Sequence, residues 1–170
     1  MYGRQGMILH GRVWKFGNNV DTDVIIPVQH TIGTDLKEFG KHCMEGLDPH
    51  FADKVSPEDI IIAGANFGCG SSREPAPLAI KAVGISCVIA KSFARIFYRN
   101  AFNVGLPLLD SADAWDGVEE GDEIEVNLDS GEIRVVSGGT IFKANAIPTF
   151  MQQLIRDGGL MNHIARKLDL

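Results

Sequence analysis

Short apolar runs broken by glycine, proline and acidic residues alternate with segments of helical spacing along this chain. Residues 7–16 read as a first strand in which His10, Arg12 and Lys15 interrupt apolar positions. Residues 18–27 form a polar turn that runs into a short apolar segment closed by Pro27, and residues 28–34 follow as a loop. A helix is predicted over 35–46, with Asp35 near its start and Gly46 past its end, and residues 49–57 connect it onward. Residues 59–63 form an apolar run built on three consecutive β-branched isoleucines, the signature of a buried strand. The segment 75–83 is rich in Ala, Leu and Ile and stops at Gly84; Pro75 and Pro77 fall in its first turn, where a missing N–H costs little. After a strand at 85–90, Ser92 is placed to cap a helix to Asn103, with Phe93, Ile96, Phe97, Ala101 and Val104 as its core stripe. Alternation on both sides of Asp129-Ser-Gly131 predicts a hairpin over 123–136. A strand at 140–144 and a helix at 148–157, closed by Gly158 and Gly159, complete a mixed α/β domain.

Composition narrows the picture. With 170 residues the chain is long enough for one full core, so the expectation is a single domain over 1–170 with a flexible extension at 1–6. The formal net charge of -6, with no basic stripe, argues against a nucleic-acid partner. No apolar run reaches the ~18 residues of a membrane span and no signal peptide opens the chain, so a cytoplasmic location without membrane contact is expected. Residues 110–132 carry ten acids and no Lys or Arg, which reads as a solvated face around turns. Cys43, Cys69 and Cys87 are odd in number and widely spaced, so neither a disulfide framework nor a metal site on this chain is indicated. Cys69 reads as a small packing residue between glycines.

The chemistry concentrates in Gly64-Ala-Asn-Phe-Gly-Cys-Gly-Ser-Ser-Arg-Glu74, between the strand at 59–63 and the helix at 75–83. A strand, a glycine loop and a helix N-terminus aim backbone N–H groups at one spot, which favours an anion. A P-loop is excluded because no lysine follows the glycines, and a dinucleotide fingerprint because Arg73 stands where its third glycine belongs and the next strand ends in Lys91-Ser92. A carboxylate site remains: Gly68 and Gly70 let the backbone approach the ligand, Ser71 and Ser72 supply hydroxyls, and Arg73 supplies a two-pronged donor. In the plainer alternative Ser72 only caps the helix and Arg73 pairs with a nearby acid. Arg95 and Arg99, four residues apart on one helix, are either a surface pair or a second positive contribution to this site.

Three blocks in order, Asn19-Val-Asp-Thr-Asp-Val-Ile-Ile-Pro27, Asn66-Phe-Gly-Cys-Gly-Ser-Ser-Arg-Glu74 and Ser92-Phe-Ala-Arg-Ile-Phe-Tyr-Arg-Asn-Ala-Phe-Asn-Val-Gly-Leu-Pro107, give the chain its resemblance. Over about residues 11–160 it resembles the small subunits of the isopropylmalate dehydratase and homoaconitase family, free-standing versions of the swivelling fourth domain of aconitase. The resemblance implies a swivelling β/β/α domain, with a mixed, barrel-like sheet core flanked by helices. It implies a hydro-lyase that moves a hydroxyl between adjacent carbons of a small di-acid by dehydration and rehydration, as in leucine biosynthesis. It gives Ser71 the role of base, Ser72 and the loop N–H groups the stabilisation of negative charge, Arg73 a substrate carboxylate, and Asp23 the support of charge pairs across the site. It also implies that no cofactor is bound here, that a 4Fe-4S cluster sits on a separate large subunit, and that this chain is inactive without that partner. The isolated chain as a homo-oligomer stays open.

In that family the loop after the first block meets the part of the substrate that differs between pathways. Here it is Val28-Gln-His-Thr-Ile-Gly-Thr34, without the arginine that a distal carboxylate needs, so isopropylmalate is favoured over homoaconitate, with Ile32 near the discriminating position. His30 and Thr31 stand where a Tyr-Leu pair is common, and Pro75 where histidine often follows. A methyl- or dimethyl-substituted malate and a non-catalytic anion-binding module are the alternatives.

Overall fold

The computed structural model describes residues 7–168; the extension expected at 1–6 lies outside the described residues. One mixed sheet runs in the order β4-β3-β2-β1-β5-β6-β7. Its strands are β1 (Ile8–Lys15), β2 (Ile60–Ala63), β3 (Cys87–Ala90), β4 (Leu108–Asp110), β5 (Glu123–Asn127), β6 (Glu132–Val135) and β7 (Ile141–Lys143). From β1 to β4 the strands are parallel, with Trp14 opposite Ile61 and Ile61 opposite Val88. From β1 through β7 they are antiparallel, with His10 opposite Glu125 and Glu125 opposite Arg134. The parallel strands β2 and β3 are buried at every position, as strands covered on both faces must be.

The helices are α1 (Thr22–Ile25), α2 (Leu36–Lys41), α3 (Phe51–Lys54), α4 (Pro75–Ala82), α5 (Arg95–Asn103), α6 (Ala112–Gly117), α7 (Thr149–Asp157) and α8 (Leu160–Lys167). β1, β2, β3, β7 and the β5–β6 hairpin fall where the hydrophobic pattern puts them, whereas β4 lies in a segment to which the pattern assigns no strand, and several helices differ. The polar turn before Pro27 contains α1, started by the Asp21 carboxylate, which accepts from the Val24 N–H at 2.9 Å. Asp35 does cap α2, accepting from the Lys37 N–H at 3.0 Å, but the helix ends at Lys41, short of Gly46. The ladder tightens at His42 and Cys43, whose N–H groups bond three residues back to Phe39 and Gly40, and Met44 at φ 59° then turns its N–H to the Ile25 carbonyl at 2.7 Å. The supposed connector before Pro57 carries α3.

Ser92 is not a helix cap. It lies two residues before Ala94, the cap residue of α5, and its hydroxyl accepts from the Asn66 N–H at 2.9 Å, so it anchors the glycine loop. In α5 the buried residues are Phe97, Ala101 and Phe102, while Ile96 is exposed and turns toward the site. The acidic stretch is more ordered than a set of turns: Ser111 caps α6 through the Ala114 N–H at 3.2 Å, and Ala114 and Val118 are buried. A further helix, α8, follows Gly159.

Candidate functional site

The loops that leave the carboxyl ends of β1, β2 and β3 meet at one edge of the parallel half-sheet, where open α/β sheets hold their ligands. They are tied to each other by backbone bonds. Asn19 donates to the Ala65 carbonyl at 2.8 Å, Gly68 to Val20 at 2.7 Å and Thr22 to Cys69 at 2.9 Å. On the other side Phe67 donates to Ser92 at 3.1 Å and Ala94 to Phe67 at 2.9 Å. Two side chains tighten this frame: Asn18 Oδ1 accepts from the Ala65 N–H at 2.7 Å, and the buried Thr22 hydroxyl donates to the Ser71 carbonyl at 2.8 Å.

Gly68 and Gly70 have φ of +82° and +91°, the left-handed region that disfavours L side chains. Gly68 has a second constraint, since a Cβ there would lie 2.1 Å from Phe97 Cγ. The loop thus lies directly on the α5 aromatic. The result is a cavity of about 280 Å³ lined by Thr22, Gly68, Gly70, Ser71, Ser72, Arg73 and the start of α5. The N–H groups of Gly70, Ser71 and Ser72 donate to no described residue, and both serine side chains are exposed. Ser72 does not cap α4, whose cap residue is Glu74 without a side-chain bond. Because Pro75 and Pro77 lack N–H groups, the donors available to an anion come mainly from the loop and Arg73.

Arg73 is the electrostatic centre. Its Nη2 lies 3.0 Å from Asp23 Oδ1, while its Nη1 is buried with no hydrogen-bond partner among the described residues. One arm of the guanidinium is held in place and the other lacks an acceptor. A buried unpaired donor costs about 1–3 kcal/mol, and more when charged, so the arrangement favours an arriving carboxylate oxygen. Arg95 also lines the cavity, whereas Arg99 lines a different one with Tyr98 and Phe150. Thr22 escaped the sequence reading; the only signal was a hydroxyl between two aspartates beside a helix start.

Not every expected residue is gathered here. His30, Thr31 and Ile32 do not line this cavity; His30 ends a 3₁₀ turn at Val28–His30, and Ile32 is 89% exposed. Cys69 is half-buried, and burial first, then the Asp21 charge, pushes its thiol up, the opposite of an activated nucleophile. An iron-sulfur cluster does not fit this chain's donors. Cys43 and Cys87 are fully buried in apolar surroundings that raise both thiols, Cys87 to about 12, and among the described residues the one compact group of candidate ligands contains no cysteine. No helix among the described residues is long and apolar enough to cross a membrane.

Known proteins share this architecture. Residues 48–112 match the aconitase C-terminal domain family. The 3-isopropylmalate dehydratase small subunit of Syntrophus aciditrophicus is 60% identical over 157 residues, which cover 92% of this chain and 96% of that one. The isopropylmalate/citramalate isomerase small subunit of Methanocaldococcus jannaschii is 55% identical over 161 residues, covering 95% and 96%. The crystal structure of a 3-isopropylmalate dehydratase from the same archaeon superposes with a TM-score of 0.90 at 46% identity, again over 95% and 96% of the two chains. At this identity and coverage the chain belongs to the 3-isopropylmalate dehydratase small-subunit family of the aconitase superfamily.

Proposed function

We propose that this chain supplies the base and the carboxylate clamp of a hydro-lyase that interconverts 2-isopropylmalate and 3-isopropylmalate, and that it works only when joined to a large subunit. The observation that carries this reading is the Arg73 guanidinium, with one arm on Asp23 and the other buried without a partner, next to two free hydroxyls. The cavity is small enough to enclose the reacting end of a di-acid rather than a nucleotide.

In the proposed cycle a substrate carboxylate takes the free arm of Arg73 and the loop N–H groups. Ser71, as alkoxide, removes the proton from the carbon next to that carboxylate. The C–H electron pair forms the double bond as the hydroxyl leaves the adjacent carbon. Ser72 and the free loop N–H groups offset the charge that builds on the carboxylate, each well-placed donor contributing about 3–4 kcal/mol to the barrier. Re-addition of water with the two positions exchanged completes the isomerisation. Departure of the hydroxyl requires an electrophile that this chain's donors do not supply, and that part falls to the large subunit, which we expect to carry a 4Fe-4S cluster.

The test is reconstitution with the large subunit followed by turnover of 2-isopropylmalate. Ser71→Ala should lower kcat by about 10²–10⁴-fold while complex formation and melting temperature hold. Retained turnover would remove Ser71 from the role of base. A second substrate is favoured by a specific observation: the Methanocaldococcus relative is named for citramalate as well, and the loop at His30 and Thr31 is polar here. Citramalate, a methyl-substituted malate, is therefore to be run beside isopropylmalate and homoaconitate; preference for homoaconitate would reject the reading of a loop without arginine.

A further inference from the structure

Two histidines and a glutamate from two segments, His30 on one and His42 with Glu45 on the other, meet beside the turn that follows α1. The rings of His30 and His42 stack with centroids 3.5 Å apart and planes 4° from parallel. Glu45 reaches both: its Oε2 lies 3.5 Å from His30 Nε2 and is hydrogen-bonded to His42 Nδ1. One donor atom from each residue falls within 4.8 Å of the other two, and all three side chains are half-buried.

An ordinary ion pair explains only part of this. His42 and Glu45 stand three residues apart, so a single protonated ring would satisfy the carboxylate. The second ring is not needed for that pair, yet His30 from the neighbouring turn lies against His42 at 3.5 Å and also reaches the same carboxylate oxygen. Two imidazole nitrogens and a carboxylate oxygen within 4.8 Å of one another are a donor set that suits a borderline divalent ion such as Zn²⁺. Tetrahedral ligands about 2.0–2.2 Å from zinc stand roughly 3.4 Å apart, and an imidazole ligates in its own plane, so the His30 ring must turn out of the parallel stack as the ion binds.

The surroundings support the same assignment. His42 Nε2, the ring nitrogen turned away from Glu45, lies 4.0 Å from Glu38 Oε2, too far for a hydrogen bond but close enough to add negative charge beside the cluster. The segment that carries His42 and Glu45 is held to α1 by the Met44 and Gly46 N–H groups, which donate to Ile25 at 2.7 Å and Val24 at 3.2 Å. Two ligands are thus set on a fixed frame, and the third, His30, comes from the exposed turn.

We infer that His30, His42 and Glu45 form a binding site for one divalent transition-metal ion, with three protein ligands and a fourth position left to water. Binding there would fix His30 and, through it, the Thr31 and Ile32 tip that follows. The inference does not rest on the proposed reaction, and its readout needs neither partner nor substrate.

The experiment titrates the tag-free, metal-stripped full chain with Co²⁺ as a visible probe, then with Zn²⁺. The expected result is one equivalent of Co²⁺ giving ligand-field absorption without a thiolate charge-transfer band, displaced by Zn²⁺, and a melting temperature raised by Zn²⁺. His30→Phe, which keeps a stacked ring in the turn, should weaken binding at least tenfold and abolish the thermal shift. Glu45→Gln should weaken it similarly, and His50→Ala, an exposed histidine outside the cluster, should leave it unchanged. Should Glu45→Gln fail to fold, His30→Phe decides. No stoichiometric binding, a thiolate band that assigns the ion to Cys69, or unchanged affinity in His30→Phe would each overturn the site.

Discussion

In the parallel half of the sheet β2 and β3 are buried at all four positions, whereas β5 and β6 in the antiparallel half alternate fully buried and half-exposed or exposed residues. The first arrangement needs helices on both faces, and the loops that enter and leave those helices gather at the strand ends. The second needs only tight turns, such as the one closed by Gly131. The chemistry-bearing cavity follows from this difference: it lies where β1, β2 and β3 end, while β5 to β7 extend the platform beneath. Strand β1 belongs to both halves, paired with β2 on one side and β5 on the other.

Three experiments set the two halves against each other. The largest effect is expected from truncation. Ile61→Ala in β2 removes a fully buried side chain and should cost about 2–5 kcal/mol in urea unfolding. The same change at Ile141 in β7, which is 53% exposed, should cost below about 1 kcal/mol, and equal losses would deny that the parallel half carries the stability. Glycine replacement comes next. Gly68→Ala combines a left-handed φ with a clash against Phe97 and should cost about 1–3 kcal/mol for the clash alone, with loss of turnover in the reconstituted complex. Gly138→Ala, at φ +86° with open space around it in the β6–β7 turn, should cost only about 1–2 kcal/mol and leave turnover intact. The smallest effect concerns Glu125 and Arg134, a half-exposed cross-strand pair 2.7 Å apart. The Arg134 hydrogen bond holds the Glu125 carboxyl below its ordinary 4.5, so its contribution is present above that pH and is lost as pH falls through the lowered value. The melting-temperature gap between wild type and Glu125→Gln should therefore close on acidification below 4.5, and shrink in high salt; a gap that widened in acid would contradict the pairing.

What could be read from the sequence divides along similar lines. The strands other than β4, and the hairpin around Asp129 and Gly131, were legible because β-branched runs and turn residues act locally; the three residues of β4, Leu-Leu-Asp, carry no such run. The glycine loop was legible for the same reason, since Gly68 and Gly70 signal left-handed backbone wherever they fold. The four-residue helices α1 and α3 are shorter than two turns, so no periodicity can announce them. Ser92 looked like a cap, because a hydroxyl before an apolar stripe has that pattern; only the tertiary approach of Asn66 reveals its other use. Ile96 fits the stripe by spacing yet faces the cavity, because the buried side of α5 runs through Phe97, Ala101 and Phe102. The same holds for His30, His42 and Glu45, whose meeting depends on a turn at Met44 that no propensity foretells.

The bonds that tie the loops together also set an order of events. Asn18 meets Ala65 across 47 positions of chain, and Phe67 then waits for Ser92 and Ala94. During synthesis the segment bearing Asp23 therefore leaves the ribosome long before anything exists for it to pair with. The cavity can close only after residue 94 has emerged, so this corner is expected among the later parts of the molecule to acquire protection from hydrogen exchange.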